Sequence, residues 1–220
     1  MKIALLGAGK TGGEVKNLHE NTIVFDTKNP PTIENLKECD VAISFLPGDA
    51  FLSYIDILLK AEIPVVSGST GMDWPTDLDA RLKEKKLSWI KSHNFSLGMN
   101  VVRLMIQKMS LLANLFDDGT FNIHDIHHVH KKDAPSGTAL SWKEWLGKDC
   151  EITAERKGDV VGYHHLIFES NEEKVTLVHE AKNRAIFARG AIFGANMLIE
   201  NQLMPGLLDF NTVIKDYLKI

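Results

Sequence analysis

Lys2-Ile-Ala-Leu-Leu-Gly-Ala-Gly-Lys-Thr-Gly12 is the stretch that decides the fold of the first part of this chain. An apolar run ends in a glycine-rich turn of the form GxGxxG. Glycine permits a tight turn and a close approach of the backbone to a pyrophosphate, and a helix that starts there supplies N–H donors. Asp26 follows a second apolar run, where a carboxylate can accept hydrogen bonds from a ribose diol. The pattern predicts a dinucleotide site, and a plain turn with Asp26 capping a loop is the alternative.

Apolar runs alternate with helical patterns through the first 95 residues. Short runs rich in Ile, Val, Leu and Phe are typical of buried parallel strands, and strand–helix alternation predicts right-handed crossovers. The predicted strands are residues 2–7, 22–26, 41–46, 64–67 and 87–91, and the predicted helices are 12–20, 33–38, 49–60 and 77–85. The first part is therefore an α/β domain, a Rossmann-like doubly wound parallel sheet.

The pattern changes near Asn94, where a second domain of the α+β class is predicted. A long helix is followed by a strand, a helix, two antiparallel strands and two terminal helices. Their predicted bounds are 101–116, 122–130, 136–146, 156–168, 174–181, 191–201 and 210–218. We expect a first domain over residues 1–95 and a second over 96–195, with about 196–220 returning to the first.

The composition of the chain argues against several classes of protein. The chain has 220 residues, of which 44% are hydrophobic and 25% charged, and its net charge of −4 argues against a nucleic-acid binder. Cys39 and Cys150 are far apart and belong to no CxxC, which indicates reduced thiols. The apolar start is too short for a signal peptide, and no apolar run reaches the ~20 residues of a membrane span. We expect a cytoplasmic protein without a membrane partner.

The segment Asp125-Ile-His-His-Val-His-Lys-Lys-Asp-Ala-Pro-Ser-Gly-Thr-Ala139 concentrates groups that transfer protons. If residues 122–130 form one strand, His128 and His130 share one face, while His127 and Lys131 share the other. Repulsion between like charges then lowers the pKa of the histidine and of the lysine, which suits proton transfer near neutral pH.

The Pro-Ser-Gly-Thr turn at the end of that segment predicts an anion site. Ser136 is a good N-cap for the next helix, and the free N–H groups of Gly137 and Thr138 then point out of its start. Two other interpretations stay open: a zinc site with His124, His128 and His130, which Lys131 and its neighbour would oppose, and a solvated polar strand without function.

These motifs together resemble the 4-hydroxy-tetrahydrodipicolinate reductase (dihydrodipicolinate reductase) family over nearly the whole chain. The most specific match is His127-His-Val-His-Lys131 with Asp133-Ala-Pro-Ser-Gly-Thr-Ala139. Further matches are Gly68-Ser-Thr-Gly71, Asn94-Phe-Ser-Leu-Gly-Met-Asn100, Arg156-Lys-Gly-Asp-Val-Val-Gly162 and Phe187-Ala-Arg-Gly-Ala191.

The resemblance implies a nicotinamide-dependent reduction of a small cyclic dicarboxylate, with no metal, by a homotetramer that assembles through the sheets of the second domain. It makes His127 and Lys131 the proton-transfer residues, and it implies that substrate carboxylates bind to His128, Gly137 and Thr138. It assigns the cofactor to Gly7, Ala8, Gly9, Lys10, Thr11, Gly12, Asp26, Gly68, Ser69, Thr70, Ser92, His93, Asn94 and Phe95.

The choice between NADH and NADPH rests on Asp26 and Lys28. The carboxylate would repel a 2′-phosphate and so favours NADH, whereas Lys28 would offset this and allow NADPH. Near the cofactor the family usually has Gly-Arg-Met-Gly, and this chain has Lys10-Thr-Gly-Gly13 instead. The phosphate contact of that arginine therefore does not carry over, unless Lys10 replaces it.

Three alternative functions would each require different residues. An acylating semialdehyde dehydrogenase needs a cysteine nucleophile, and neither cysteine lies in a plausible catalytic loop. A dinucleotide sensor would use the glycine turn but leave the His/Lys segment without a role. A zinc hydrolase would need a more complete ligand set than the histidines offer.

Overall fold

The computed structural model describes residues 1–200 and 203–219, which divide into two compact units. Unit 1 contains Met1–Leu97 and the described residues from Arg184 onward, and unit 2 contains Gly98–Asn183. None of the described helices combines the length and apolar character needed to cross a bilayer.

Unit 1 is built on a six-stranded parallel sheet with the strand order β10-β5-β4-β3-β1-β2. The order reverses between β1 and β3, where ligands bind in open α/β sheets. The predicted Rossmann-like fold is confirmed. The strands are β1 (Ile3–Leu6), β2 (Thr22–Phe25), β3 (Val41–Ser44), β4 (Val65–Ser67), β5 (Ser88–Lys91) and β10 (Gly206–Asp209), and the helices are α1 (Lys10–Leu18), α2 (Ile33–Lys37), α3 (Gly48–Leu52), α4 (Ile55–Ala61), α5 (Leu78–Glu84), α8 (Ala185–Glu200) and α9 (Phe210–Leu218).

The strands of this sheet are mostly apolar, and helices cover both of its faces. Alternate residues of β1 belong to separate cores: Ala4 packs in one cluster and Ile3 in the other. The first cluster includes side chains of α2, α4 and α5, and the second includes side chains of α1, α8 and α9. A strand buried on both sides needs no polar alternation, which is why short apolar runs predicted it.

The chain returns to unit 1 earlier than predicted. We expected the return near residue 196 and a helix over 191–201, but α8 begins at Ala185, and Asn201 lies outside the described residues. Small residues allow close packing of α8: a Cβ on Gly190 would lie 1.6 Å from the backbone oxygen of Phe95. The edge strand β10 was not predicted, and it pairs with β5 in parallel.

Unit 2 contains a four-stranded mixed sheet with the order β7-β6-β8-β9. One face carries Ile123, Leu166 and Phe168, which pack with Trp142 and Val102 in a single core. Its elements are α6 (Leu97–Met109), β6 (Thr120–His127), α7 (Gly137–Leu146), β7 (Glu151–Arg156), β8 (Gly162–Glu169) and β9 (Lys174–Ala181), with a 3-10 helix at Ser110–Asn114 after α6.

The strand predicted over residues 122–130 is too long at its C-terminal end. β6 stops at His127, because the N–H of Lys131 bonds to the oxygen of His128 in a turn. The predicted face shared by His128 and His130, and the one shared by His127 and Lys131, are therefore wrong, since only His127 of these four belongs to a strand.

Two other predicted elements are divided. Residues 156–168 are not one strand, because Arg156 ends β7 and a loop with Gly158 at φ +49° precedes β8. β7 was not predicted, because its charged residues interrupt the apolar alternation that is typical of a strand. Residues 49–60 form α3 and α4, which separate where the N–H of Tyr54 bonds to the oxygen of Phe51.

Candidate active site

The turn after β1 has three properties that dinucleotide binding requires of its glycines. Gly7 has φ +80°, a conformation that favours glycine. A Cβ on Gly9 would meet nothing within 4 Å, so a ligand can approach the backbone there. A Cβ on Gly12 would lie 2.2 Å from the oxygen of Gly7, so α1 can pack this closely only with glycine. These residues fit the pyrophosphate of a dinucleotide.

The start of α1 faces the same turn. Gly9 is the N-cap and supplies no side-chain hydrogen bond, so no side chain of the cap covers the first N–H groups of the helix. Ala8 and Lys10 are exposed and Thr11 is half-buried. The helix start therefore offers donors and a nearby cation to a phosphate.

Asp26 directly follows β2 and its carboxylate is held by the backbone. Its Oδ1 accepts hydrogen bonds from the N–H groups of Lys28 (2.8 Å) and Asn29 (2.9 Å), which lower the pKa of this exposed carboxyl group. The side chain is thus a fixed anion beside the strand that neighbours β1.

The loop after β4 presents one exposed side chain. The Ser69 hydroxyl is buried 3.1 Å from that of Ser44, and a Cβ on Gly68 would lie 2.4 Å from the Phe45 ring. Thr70 is exposed, and its backbone oxygen accepts a hydrogen bond from the N–H of Gly48. Of the residues predicted to bind the cofactor here, only Thr70 has an exposed side chain.

In the loop after β5, some of the residues predicted to bind the cofactor are exposed and others are not. His93 is exposed, and the Ser92 hydroxyl and the backbone of Asn94 bond to each other. Phe95 is 1% exposed and its ring lies 4.6 Å from that of Phe210, so this side chain belongs to the core.

In unit 2, a buried carboxylate organises the segment rich in histidine and lysine. Asp125 on β6 is fully buried. Its oxygens accept hydrogen bonds from the Ser136 N–H (3.0 Å) and hydroxyl (2.7 Å). The Nδ1 of His127 lies 2.9 Å and the Nε2 of His164 3.1 Å from its Oδ1. Burial alone would raise the pKa of Asp125, but the hydrogen bonds from His164 and Ser136 and the charge of His127 hold it well below its usual range.

His127 ends β6 and is almost completely buried. Its pKa is lowered from 6.5 to about 4, first because burial disfavours the charged ring. The carboxylate of Asp125 opposes this shift, while His164, Lys131 and Arg156 add to it through repulsion. The predicted repulsion from Lys131 is present but is not the main cause. The ring is therefore neutral at neutral pH in the unliganded protein.

Lys131 contacts an acidic neighbour that sequence reasoning did not consider. Its Nζ lies 2.8 Å from Oδ1 of Asp133, and the guanidinium of Arg156 donates to the backbone oxygen of Asp133. The Lys131 hydrogen bond is the main reason that the pKa of Asp133 is lowered, and the N–H of Gly137 lowers it further. One exposed carboxylate thus bonds to the predicted proton donor and lies near the predicted anion site.

The predicted N-cap of α7 is present. The Ser136 hydroxyl accepts a hydrogen bond from the N–H of Ala139, and a Cβ on Gly137 would meet nothing within 4 Å. Gly137 is exposed and Thr138 half-buried. His128 lies in the preceding turn, and its buried Nδ1 has no hydrogen-bond partner among the described residues. The start of α7 can therefore receive an anion.

The predicted zinc alternative is not assembled. His124 lies on the other face of the sheet from His127, with its Nδ1 2.7 Å from the Thr153 hydroxyl. Within the described part of the chain, Asp125, His127 and His164 are the group with the spacing of metal ligands. Both oxygens of Asp125 already accept hydrogen bonds, and the Arg156 guanidinium lies 3.4 Å away. These hydrogen bonds and the nearby positive charge favour a hydrogen-bond network at Asp125 over the binding of a divalent cation.

Asp125, His164 and Arg156 were not singled out from the sequence. Asp125 could have been found, because it stands two residues before His127 and a strand places both on one face. His164 and Arg156 reach the site from β8 and β7, which pair with β6 on opposite sides. No local sequence pattern indicates that residues of these three strands meet at one site.

The parallel sheet of unit 1 with its glycine turn, and the His–Lys–carboxylate cluster of unit 2, are the features of a two-domain nicotinamide-dependent oxidoreductase. Comparison with known proteins identifies the family within this class. Residues 98–214 match the family model described as dihydrodipicolinate reductase, C-terminus. The chain belongs to the dihydrodipicolinate reductase family.

Individual relatives support this assignment along the whole chain. A 4-hydroxy-tetrahydrodipicolinate reductase of Christiangramia forsetii is 34% identical, with 100% of both chains covered. One of Bdellovibrio bacteriovorus is 32% identical over 97% of this chain and 96% of its own. The dipicolinate-bound dihydrodipicolinate reductase of Paenisporosarcina sp. TG-14 shares the fold, with a TM-score of 0.77 at 22% identity over 97% of this chain and 99% of that one.

We predict that His127 does not take up a proton above about pH 5 in the unliganded protein. Its titration midpoint should lie at about 4, measured by NMR of labelled histidine and assigned with His127→Gln. Because the unfolded chain binds this proton near pH 6.5, acidification from 6.5 toward 4 should lower the free energy of unfolding, and less so in the variant. A midpoint near 6.5 would contradict the described burial.

Proposed function

We propose that the protein catalyses the nicotinamide-dependent reduction of 4-hydroxy-tetrahydrodipicolinate to tetrahydrodipicolinate, with loss of water, in lysine and diaminopimelate biosynthesis. The observation that carries this proposal is the segment from β6 to α7. In it, Asp125 contacts His127 and bonds to Ser136 at the start of α7, and Lys131 bonds to Asp133. Family membership supplies the substrate class.

The cofactor is a nicotinamide dinucleotide, which the glycine turn after β1 fits. When bound, it supplies the hydride. We propose NADH as the preferred form, because the fixed carboxylate of Asp26 would receive the ribose hydroxyls and repel a 2′-phosphate. Lys28 stands two residues away and would reduce that preference. The backbone of Gly9, the start of α1 and the loops around Thr70 and His93 would hold the rest of the molecule.

The position of Asp133 supports a binding site for a substrate carboxylate. Its own carboxylate already accepts a hydrogen bond from the Lys131 ammonium group and lies near the N–H of Gly137. Asp133 is 58% exposed at its side chain, so it can be displaced toward solvent by a second carboxylate. We propose that one substrate carboxylate takes this place on Gly137 and Thr138, and that His128 contributes its unpartnered Nδ1.

His127 and Lys131 provide the proton steps. The reaction takes up a hydride and a proton, and the leaving hydroxyl departs as water. A dianionic substrate adds negative charge beside His127, which raises the pKa of the ring toward neutral pH and makes proton transfer efficient there. Lys131 is released from Asp133 by the same event and becomes the second donor.

We propose that the protein is cytoplasmic, has no nucleic-acid or membrane partner, and assembles as a homotetramer through the second sheet. The sheet face opposite the core of unit 2 supports this: Val178 is 46% exposed, and Ile126 and Ile167 on the same face are half-buried. Light scattering should give about four times the chain mass of 24.6 kDa. A mass near one chain would contradict the assembly.

The reaction can be tested by supplying the substrate enzymatically. Purified protein is coupled to a dihydrodipicolinate synthase, and the loss of absorbance is followed with NADH and with NADPH separately. We expect consumption only with the synthase present, and faster with NADH. Folded protein that binds NADH but consumes none would overturn the reductase assignment and favour a dinucleotide sensor. Faster turnover with NADPH would overturn only the role given to Asp26.

The anion site at the start of α7 can be tested at Thr138. Thr138→Pro removes one N–H, while proline is tolerated in the first turn of a helix, so the KM for the substrate should rise. Thr138→Ala keeps that N–H and is the matched control for loss of the side chain. We expect a rise of roughly 10-fold in the proline variant only, the order of a hydrogen bond to a charged group. Equal KM values in the two variants would contradict the site.

A further inference from the structure

Asp125 joins two parts of the site that the proposed reaction uses separately. Through Oδ1 it faces Nδ1 of His127, and through both oxygens it accepts hydrogen bonds from Ser136, the N-cap of α7. The next two residues, Gly137 and Thr138, are the proposed carboxylate site. A single buried side chain therefore fixes both the proton-transfer group and the anion-binding helix start.

The ring of His127 makes a close contact with Asp125 along one edge, where Nδ1 has no aligned hydrogen bond among the described residues, and its other edge is left for the reaction. The Nδ1 edge faces Asp125 at 2.9 Å. The Nε2 edge lies beside Gly162, where a Cβ would be only 3.2 Å away. Because position 162 is glycine, space remains next to the nitrogen that Asp125 does not occupy.

Capping alone does not explain a charged group at position 125. Ser136 caps α7 with its own hydroxyl, and a neutral partner could accept the bond from that hydroxyl. A fully buried carboxylate loses its hydration, which is costly unless nearby charges compensate. Arg156 at 3.4 Å supplies a compensating charge, and the rings of His127 and His164 face the same carboxylate from two other strands.

We infer that Asp125 is a positioning residue for the proposed reductase reaction, which holds the His127 imidazole in register with the start of α7 and favours its protonated form. The inference rests on the proposed function for the identity of the reaction. Asp125 touches neither substrate nor cofactor in this role, and it acts through His127 and Ser136. Arg156 opposes it, since its positive charge faces the same carboxylate and the same imidazole.

The charges that face His127 set the direction of each test. They are Asp125 on its own strand, His164 on β8, Arg156 on β7 and Lys131 in the turn. Removing the negative charge should move the titration of His127 to lower pH, and removing a positive charge should move it to higher pH. A side chain that served only for packing would move neither.

The test compares the pH dependence of kcat in Asp125→Asn and Arg156→Gln, using the coupled assay. In the plot of kcat against pH, the limb that reports the titration of His127 in the substrate complex should shift by about one pH unit. The shift should be downward in D125N and upward in R156Q. D125N should also lose ~10-fold or more in kcat at neutral pH. Limbs that coincide with the wild-type limb in both variants would overturn the inference.

Ser136→Ala is the matched control, because it removes a partner of Asp125 but leaves the charge. We expect a higher KM and an unshifted limb. A double-mutant cycle adds a second criterion: in a His127→Ala background, D125N should change kcat by less than ~3-fold, because both substitutions interrupt one unit. A full additional loss in that background would assign Asp125 a role independent of His127 and overturn the inference.

Folding and the proposed function are controlled separately. Circular dichroism and NADH binding report whether D125N folds, and R156Q carries the pH test if it does not. If the wild-type protein shows no turnover, the proposed function fails, whereas NMR titration of His127 in R156Q still measures the charge coupling. An upward shift there supports the coupling, and an unshifted midpoint overturns it.

Discussion

The burial of one carboxylate, Asp125, constrains most of unit 2. A buried anion must be surrounded by donors, and each donor comes from a different element: Ser136 from the start of α7, His164 from β8 and Arg156 from β7. Satisfying one charge therefore fixes the register of three strands and the direction of a helix. The same donors leave His127 beside the carboxylate at the end of β6, and the site follows from this electrostatic requirement.

Unit 1 reaches its binding geometry by a different means, which is steric. Gly7, Gly9 and Gly12 each lack a side chain for a separate reason: a positive φ, an open approach and a helix packed against the turn. Asp26 is then held by two backbone N–H groups of its own turn. These features depend on few residues that are close in sequence, whereas the cluster around Asp125 depends on distant ones.

That difference explains how much of the molecule could be predicted from the sequence. Five strands of unit 1 and the cap at Ser136 were predictable, because local periodicity and turn chemistry determine them. The end of β6 at His127 was not, since the turn that follows is held by bonds to residues such as Gly158, far along the chain. β7 was missed because it is rich in charged residues, and β10 was missed because only Leu207 and Leu208 are apolar between Gly206 and Asp209. Asp125 lay within reach of the strand pattern but looked like an ordinary acidic residue.

The order of the two units along the chain has a consequence for biosynthesis. Unit 2 is one uninterrupted segment, whereas unit 1 lacks α8, α9 and β10 until the last part of the chain has been made. One face of its sheet, with Ile3, Leu5 and Val41, is completed only by α8 and α9. During synthesis the whole of unit 2 therefore precedes the helices that cover this apolar face of the sheet in unit 1. Until α8 and α9 pack against it, this face of the sheet stays exposed, and exposed apolar surface of this kind promotes aggregation.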